Sequence, residues 1–493
     1  MKSTPHQDIV IIGSGIGGLT AGALLARSGR RVLILEKNHL PGGCCSTFTR
    51  QEFRFEAGAT TLMGFDQFQP LGRLEREIGL QLDKIRLTPP MTVWLDDQPI
   101  VRHENLTDWI SEASSVFGPE GQDAFWQLCY QVAQDAWEIS YSMPYFPPGN
   151  LHDWLMLSKP DNWRFLKSFP WVMRSTAQVI RNLGLADNEK FMRFINQQML
   201  IASQAYSADT QFLVGAPVLT YTNSPNYYLS GGLIQLPDQL ISIIRENGGA
   251  IHYRKEVSKV KRTTSGFELT CTDGSLYQTR KLISNTTIWN MQDLMKGTQT
   301  DYFKDLSDRF SFGWGAFILN LGIRDRFPVL DSLHHQLIFK TPLPWLESTS
   351  VFLSASHPAD ESRAPDGYRA ISISTHDPHP EVWFSLNPAE YQRRKTDIIS
   401  AIRDRLSQVL PLGPDDIRVE FSSTAKTFEE WIGRKYGRVG GIPAAGLKTI
   451  FRMASPRTPD DHLYLVGDTT FPGQGISAVA QSGINTFLRV ISD

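Results

Sequence analysis

The first patterned segment is a short continuous run of apolar residues, Asp8–Ile12 (DIVII). A run without alternation is what a strand covered on both faces requires. It passes through Gly13-Ser14-Gly15-Ile16-Gly17-Gly18 into LTAGALLARSG, whose good helix formers recur at helical spacing. Arg31–Leu35 (RVLIL) then reads as a second strand, completing a βαβ unit at the start of the chain. From Gly58 to about Tyr228 the pattern changes to longer helical periods, many aromatics and proline breaks such as YFPPG at 145–149. Ser230-Gly231-Gly232 opens another helical stretch, LIQLPDQLISIIRENGG, which ends on a glycine pair as a helix C-cap does.

Strand patterning dominates after Ala250: AIHYRKEVSKVKR, GFELTCTD, and SLYQTRKLISN, with Asp273-Gly274 as a hairpin turn between the last two. A mixed region at about 300–425 contains strand-like pieces, AFILNLGI and YRAISISTH. The chain closes with HLYLVGD, a glycine-rich turn and the helix SAVAQSGINTFLRVI, and shows no internal repeat. These elements predict an α/β fold in which a Rossmann-like nucleotide domain, a parallel sheet with a β-meander, is assembled from three separated pieces. The pieces are 1–75, 229–300 and 426–493. An α+β substrate domain is expected between them, with a mainly helical part at 76–228 and a sheet part at 301–425.

Length agrees with this division, because 493 residues exceed one core and domains run to roughly 100–200 residues. Lys and Arg number 49 against 51 Asp and Glu, so no global field attracts nucleic acid or an anionic membrane, and no nucleic-acid partner is expected. Four cysteines without a CxxC pair make neither a disulfide framework nor a zinc site, and no metal is expected. MKSTPHQDIVIIGSG has no apolar leader, and no apolar run reaches the ~18 residues of a spanning helix. The expected location is the cytoplasmic side, with peripheral membrane contact as an option.

Gly13, Gly15 and Gly18 form G-x-G-x-x-G between a strand and a helix. Gly13 permits the tight turn, Gly15 lets backbone approach a pyrophosphate, and Gly18 lets helix and strand pack closely. The pyrophosphate would lie over free N–H groups at the positive end of the helix. Glu36 stands 23 residues after Gly13, at the end of the second strand, where a carboxylate accepts hydrogen bonds from ribose hydroxyls and repels a 2′-phosphate. The segment therefore predicts a dinucleotide other than NADP.

Three further segments carry a resemblance. Pro41-Gly42-Gly43 resembles the second glycine pair of the FAD-dependent amine oxidase and phytoene desaturase superfamily. LYLVGDTTFPGQGISAVAQSGI, Leu463–Ile484, is similar to its closing flavin motif, and Tyr228–Leu240 matches between them. PGGCCSTF with FRFEAGAT, Phe53–Thr60, resembles the carotenoid desaturase and isomerase branch, which includes retinol saturase. The resemblance implies FAD, with pyrophosphate contacts from Gly13, Gly15, Ile16, Gly17, Gly18, Gly42 and Gly43, and with Glu36 and Lys37 at the adenosine ribose. It implies backbone contact of Val257 with adenine, Gly467 and Asp468 at the ribityl-pyrophosphate region, and Gly475-Ile476 beside the flavin pyrimidine edge. N–H groups at a helix start can stabilise negative charge there. Many superfamily members carry Arg directly after the glycine pair where this chain has Cys44, so a positive charge is either missing or supplied elsewhere.

Other candidates have simpler readings. Cys44 and Cys45 are expected to pack beside a glycine turn, because nothing nearby would lower a thiol pKa. His376 and His379, in THDPH, and the pair His334-His335 are expected to be solvated loop histidines, not metal ligands. No Ser-His-Asp arrangement and no catalytic acid or base is assigned, and Thr60, Thr61 and Phe471 are placed on the flavin's substrate side because they flank the flavin motifs. Trp109, Trp126, Trp137, Trp154, Trp163 and Trp171 fall in one stretch. Residues 151–181 mix such apolar groups with Lys159, Arg164, Lys167, Arg174 and Arg181, the composition of an interfacial helix pair or of a packed helical insert.

The resemblance implies a long apolar polyene, a carotenoid or related molecule, as substrate and oxygen or a quinone as electron acceptor. Desaturation by hydride transfer to flavin is the first expectation; cis-trans isomerisation and a retinol-type saturation are the alternatives. From other classes, an amine or amino-acid oxidase and a non-catalytic prenyl-protein escort share the resemblance. The intact Glu36 and GDTTFPGQGIS speak against the escort.

Overall fold

The computed structural model describes residues 7–296 and 300–493. A seven-stranded sheet forms around β1 (Gln7–Ile12). α1 (Ile16–Arg27) follows it and leads into β2 (Val32–Leu35), parallel to β1. Strand Leu276–Ser284 lies parallel on the other side of β1, and Ala250–His252 extends the sheet beyond β2. Strands Val257–Thr263 and Gly266–Cys271 add the antiparallel meander, and Leu463–Leu465 pairs in parallel with Leu282–Ser284. The chain's beginning, middle and end thus share one sheet.

The four residues of β2 are all buried, as its unbroken apolar pattern requires. On one face of the sheet α1, the closing helix Ile476–Ser492 and helix Gln235–Glu246 enclose an aliphatic core that includes Ile11, Leu19, Ile34, Leu240 and Ile484. α1 and the closing helix meet closely: a Cβ on Gly483 would stand 2.6 Å from the Gly17 carbonyl oxygen.

A second seven-stranded sheet contains the two long strands Gly315–Arg324 and Tyr368–Asp377, paired antiparallel over their whole length. Met91–Leu95 and Gln98–Arg102, from the mainly helical stretch, form its far edge. Helices between Leu106 and Leu219 bury Trp109 and Trp126 in an aromatic core with Phe125, Phe191 and Phe194. These two tryptophans are therefore structural. The histidine pair departs from its expected solvated loop: His334 and His335 lie in strand His334–Ile338 and are buried. His334 Nδ1 meets Ser354 Oγ at 2.9 Å, and His335 Nε2 meets the carbonyls of Val329 and Ser332 at 2.9 and 2.8 Å.

Candidate cofactor site

A cavity of about 1610 Å³ runs from the end of β1 and β2 to the second sheet. At its first end the glycine turn is fixed by backbone pairing. Gly13 adopts φ +91°, its N–H donates to the Leu35 carbonyl at 2.8 Å, and the Gly42 N–H donates to the Ser14 carbonyl at 2.9 Å. The first turn and the second glycine pair are therefore directly joined. A Cβ on Gly18 would sit 2.7 Å from the Gly13 carbonyl oxygen, which is the close packing its motif position predicts; Gly18 lies behind the cavity wall.

Glu36 reaches this turn from the end of β2. Its carboxylate accepts from the Ser14 N–H at 2.8 Å, the Ser14 hydroxyl at 2.5 Å and the Asn38 N–H at 2.8 Å. Lys37 pairs with Glu256 at 3.1 Å, and Val257 follows on the same wall. Sequence reasoning gave no role to Asn285, the residue directly after strand Leu276–Ser284. Its side chain lies between the two glycine motifs: a Cβ on Gly15 would meet its Nδ2 at 2.5 Å, and one on Gly467 its Oδ1 at 3.1 Å. A strand-end asparagine carries no sequence signal that separates it from a turn residue.

Two helices point their N-termini into this cavity without a side-chain cap. α1 has Gly15 as N-cap, and the closing helix has Gly475, at φ +92°, with nothing within 4 Å of where a Cβ would be. The first-turn N–H groups of a helix have no intrahelical partner, and leaving them buried and unsatisfied is costly. An anionic group at each end satisfies them. Both helix ends and Glu36 line the same cavity.

The remaining motif residues Gly43, Gly467, Asp468, Gly475 and Ile476 also line the cavity. Thr60, Thr61 and Phe471 do not, contrary to their expected placement on the substrate side. Leu62, just after Thr60 and Thr61, pairs with Tyr227, and the Phe471 ring is edge-on to Phe146 at 5.0 Å. Ile201, Ala202, Ala316, Ile318, Phe421 and His376 do line the cavity. His376 departs from its expected loop: it belongs to strand Tyr368–Asp377, opposite Ala316, and its ring stands edge-on to Trp314 at 5.7 Å. Burial lowers its pKa to about 4, so the ring is neutral near pH 7. His379 is exposed, as expected of it.

Cys44 and Cys45 both line the cavity, and Cys45 is buried. Burial pushes both thiols up, the opposite of thiolate activation, in line with a packing role. Among the described residues no His, Cys, Asp and Glu cluster could hold a metal.

Comparison with known proteins agrees with this geometry. The family described as flavin containing amine oxidoreductase matches residues 16–487. The chain is 28% identical over 502 residues to a chloroplastic prolycopene isomerase of Arabidopsis thaliana, covering 99% of this chain and 83% of that protein. It is 22% identical over 527 residues to a carotenoid 3,4-desaturase of Haloarcula japonica, covering both chains fully. Among solved structures, a putrescine oxidase bound to putrescine superposes with a TM-score of 0.64 at 14% identity, over 99% of both chains. The chain belongs to the flavin-containing amine oxidoreductase family. It is an FAD-dependent enzyme, and its fold is a Rossmann-like FAD domain joined to a substrate domain.

Proposed function

We propose that this enzyme acts on a long apolar polyene of the carotenoid class. The observation that carries this reading is the composition of the cavity wall that the second sheet provides. Ile201, Ala202, Ala316, Ile318 and Phe421 contribute apolar or aromatic surface beside the neutral polar groups of Ser374, Thr375, His376, Ser422 and Ser423, and the second sheet's lining residues include no carboxylate to pair with a substrate ammonium. An amine or amino-acid substrate would leave its charge unpaired there, at a cost of several kcal/mol by order of magnitude. A polyene loses nothing by desolvation and gains about 25 cal/mol per Å² of buried apolar surface. The cavity also exceeds the ~300–1,000 Å³ usual for one small ligand, leaving room for a substrate beside the cofactor.

FAD, when bound, supplies reversible hydride exchange with a carbon held against its ring. The protein's part is positional. Gly13, Gly15, Ile16, Gly17, Gly42 and Gly43 would receive the diphosphate, Glu36 and Lys37 the ribose end, Val257 the adenine, and Asp468, Gly475 and Ile476 the ribityl and ring. The apolar wall aligns the polyene and excludes water.

Two reactions fit this wall. Cis-trans isomerisation without net redox is supported by the likeness to prolycopene isomerases, which exceeds that to the desaturase above. Desaturation is supported by the likeness to the carotenoid 3,4-desaturase over the whole chain, and it needs oxygen or a quinone as terminal acceptor. Incubation with poly-cis and all-trans carotenoids, followed by chromatography and mass analysis, separates them: isomerisation keeps the mass, desaturation removes two hydrogens per turnover. Unchanged substrate in every case would count against both.

Substrate access from a lipid surface is part of this proposal. No helix among the described residues is long and apolar enough to cross a membrane. Helix Leu151–Leu157 and the following turns to Val172 instead hold Leu151, Trp154, Leu155, Trp163, Leu166 and Phe169 in the open, Trp154 at 61% and Trp163 at 65% exposure. Exposed apolar groups clustered this densely favour an interface, and Arg174 with Lys159 supplies a basic rim.

A further inference from the structure

We propose that Arg434 is the cationic anchor of the FAD diphosphate-ribityl end, delivered to the cavity by a glycine-rich strap instead of by the glycine loop itself. The inference rests on FAD lying along α1 and the closing helix, and is independent of which substrate is used. Charge accounting motivates it. The diphosphate brings about two negative charges to a cavity that already holds Glu36 and Asp468, while the α1 N-terminus offers only about half a positive charge. The position directly after Gly43 is Cys44, which is uncharged. Of the other cationic lining residues, Lys37 and Lys255 are ion-paired with Glu256 and Asp273, Arg50 lies over the Phe421 ring, and Arg54 belongs to strand Phe53–Glu56, away from the glycine turn in sequence.

Arg434 stands where the charge is needed. Its Nη2 donates to the Asp468 carboxylate at 2.8–3.0 Å, and its Nε donates to the Arg438 carbonyl. Its Nη1 makes no hydrogen bond among the described residues, although a guanidinium carries five donors in a fixed fork. The side chain is largely buried yet lines the cavity, together with Gly43, Cys44, Gly467 and Asp468. Ile432, two residues earlier, would be 3.9 Å from a Cβ on Gly43, so this strand of chain lies against the second glycine pair. The Arg434 charge acts on the Cys44 thiol, which places the two side chains in one electrostatic neighbourhood. Asp468 keeps the fork oriented while leaving a donor face open.

The strap that carries Arg434 is fixed by close approach. A Cβ on Gly437 would be 2.0 Å from the Ala425 carbonyl oxygen, and one on Gly441 2.1 Å from the Asp468 carbonyl oxygen; both glycines have positive φ. The strap thus runs against the flavin motif with no room for a side chain, which delivers the guanidinium to one place.

The test follows flavin release from the holoenzyme by the rise in flavin fluorescence after dilution, at low and high ionic strength. Arg434→Gln is expected to release FAD about 10- to 100-fold faster, the loss of one charge-assisted hydrogen-bonded contact. Its release should also depend less on salt than that of the wild type. Arg434→Lys should recover part of the retention, and adding Cys44→Arg to Arg434→Gln should recover it from the neighbouring position. A merely structural arginine would give neither rescue, and equal release from Arg434→Gln and wild type would overturn the assignment. Glu36→Ala, run alongside, separates the failures. Faster release from Glu36→Ala alone rejects Arg434, and no change in either variant rejects the placement of FAD on which it rests. Should Arg434→Gln not fold, the lysine variant's release rate and salt dependence give the same decision.

Discussion

The Glu36 carboxylate grips Ser14 through both its backbone N–H and its hydroxyl, at 2.8 and 2.5 Å, so the end of β2 and the glycine turn form one unit. Glu36→Ala removes the ribose acceptor and frees the turn. FAD affinity should fall by about tenfold or more, the scale of a lost charged hydrogen bond. Flavin content after gel filtration and a fluorescence titration check this, and a fully flavinated variant would remove Glu36 from the site.

Gly18→Ala tests close packing and not ligand contact. The new methyl would lie 2.7 Å from the Gly13 carbonyl oxygen, a backbone atom that cannot move without opening the turn. Destabilisation of about 1–3 kcal/mol is expected, with a lowered melting temperature and lost flavin together. Gly29→Ala makes a control: nothing lies within 4 Å of its Cβ position, although its positive φ imposes a smaller backbone cost.

Stability should decline in acid through His334. Burial lowers its pKa to about 3 in the folded protein, whereas an unfolded histidine titrates near ~6.5. Above ~6.5 both states are neutral at this residue and stability does not depend on it. As pH falls from ~6.5 towards 3 the unfolded state alone takes up the proton, so stability drops by about 1.4 kcal/mol per pH unit from this group. Urea unfolding at several pH values should show a shallower acid slope in His334→Asn; an identical slope would assign the effect elsewhere.

Replacing Trp154, Trp163 and Lys167 together should abolish flotation with anionic liposomes while leaving flavin content unchanged. The exposed indoles supply the apolar term. Lys167 pairs with Asp135 at 3.0 Å, so its contribution should be the smaller one. Flotation that persists in the triple variant would place membrane contact on another face.

Much of the flavin domain was legible because its signals are local. An unbroken apolar run, three glycines at fixed offsets and an acidic residue at the next strand end each reflect a backbone constraint that few residue types satisfy. β1, α1 and β2 fall within a few residues of where the pattern puts them. What escaped depends on contacts across the chain. His334 and His376 look like loop residues beside Asp and Pro, yet their strands are specified by partners such as Ser350–Ala355 and Gly315–Arg324. Asn285 and Arg434 acquire meaning only when strand ends and the 434–441 strap converge on the glycine motifs. Thr60 and Phe471 lie near cavity residues in sequence but are not on the lining themselves, and the Phe471 ring packs against Phe146.

Substrate class is decided most directly by the flavin absorption spectrum under anaerobic conditions, recorded with carotenoids, amines and amino acids in turn, with the carotenoid products separated by chromatography. The expected result is that only carotenoids respond: a desaturated product with bleaching of the flavin band, or a change of isomer once the flavin has been reduced. Bleaching by an amine or amino acid, with every carotenoid recovered unchanged from oxidised and reduced enzyme, would contradict the account.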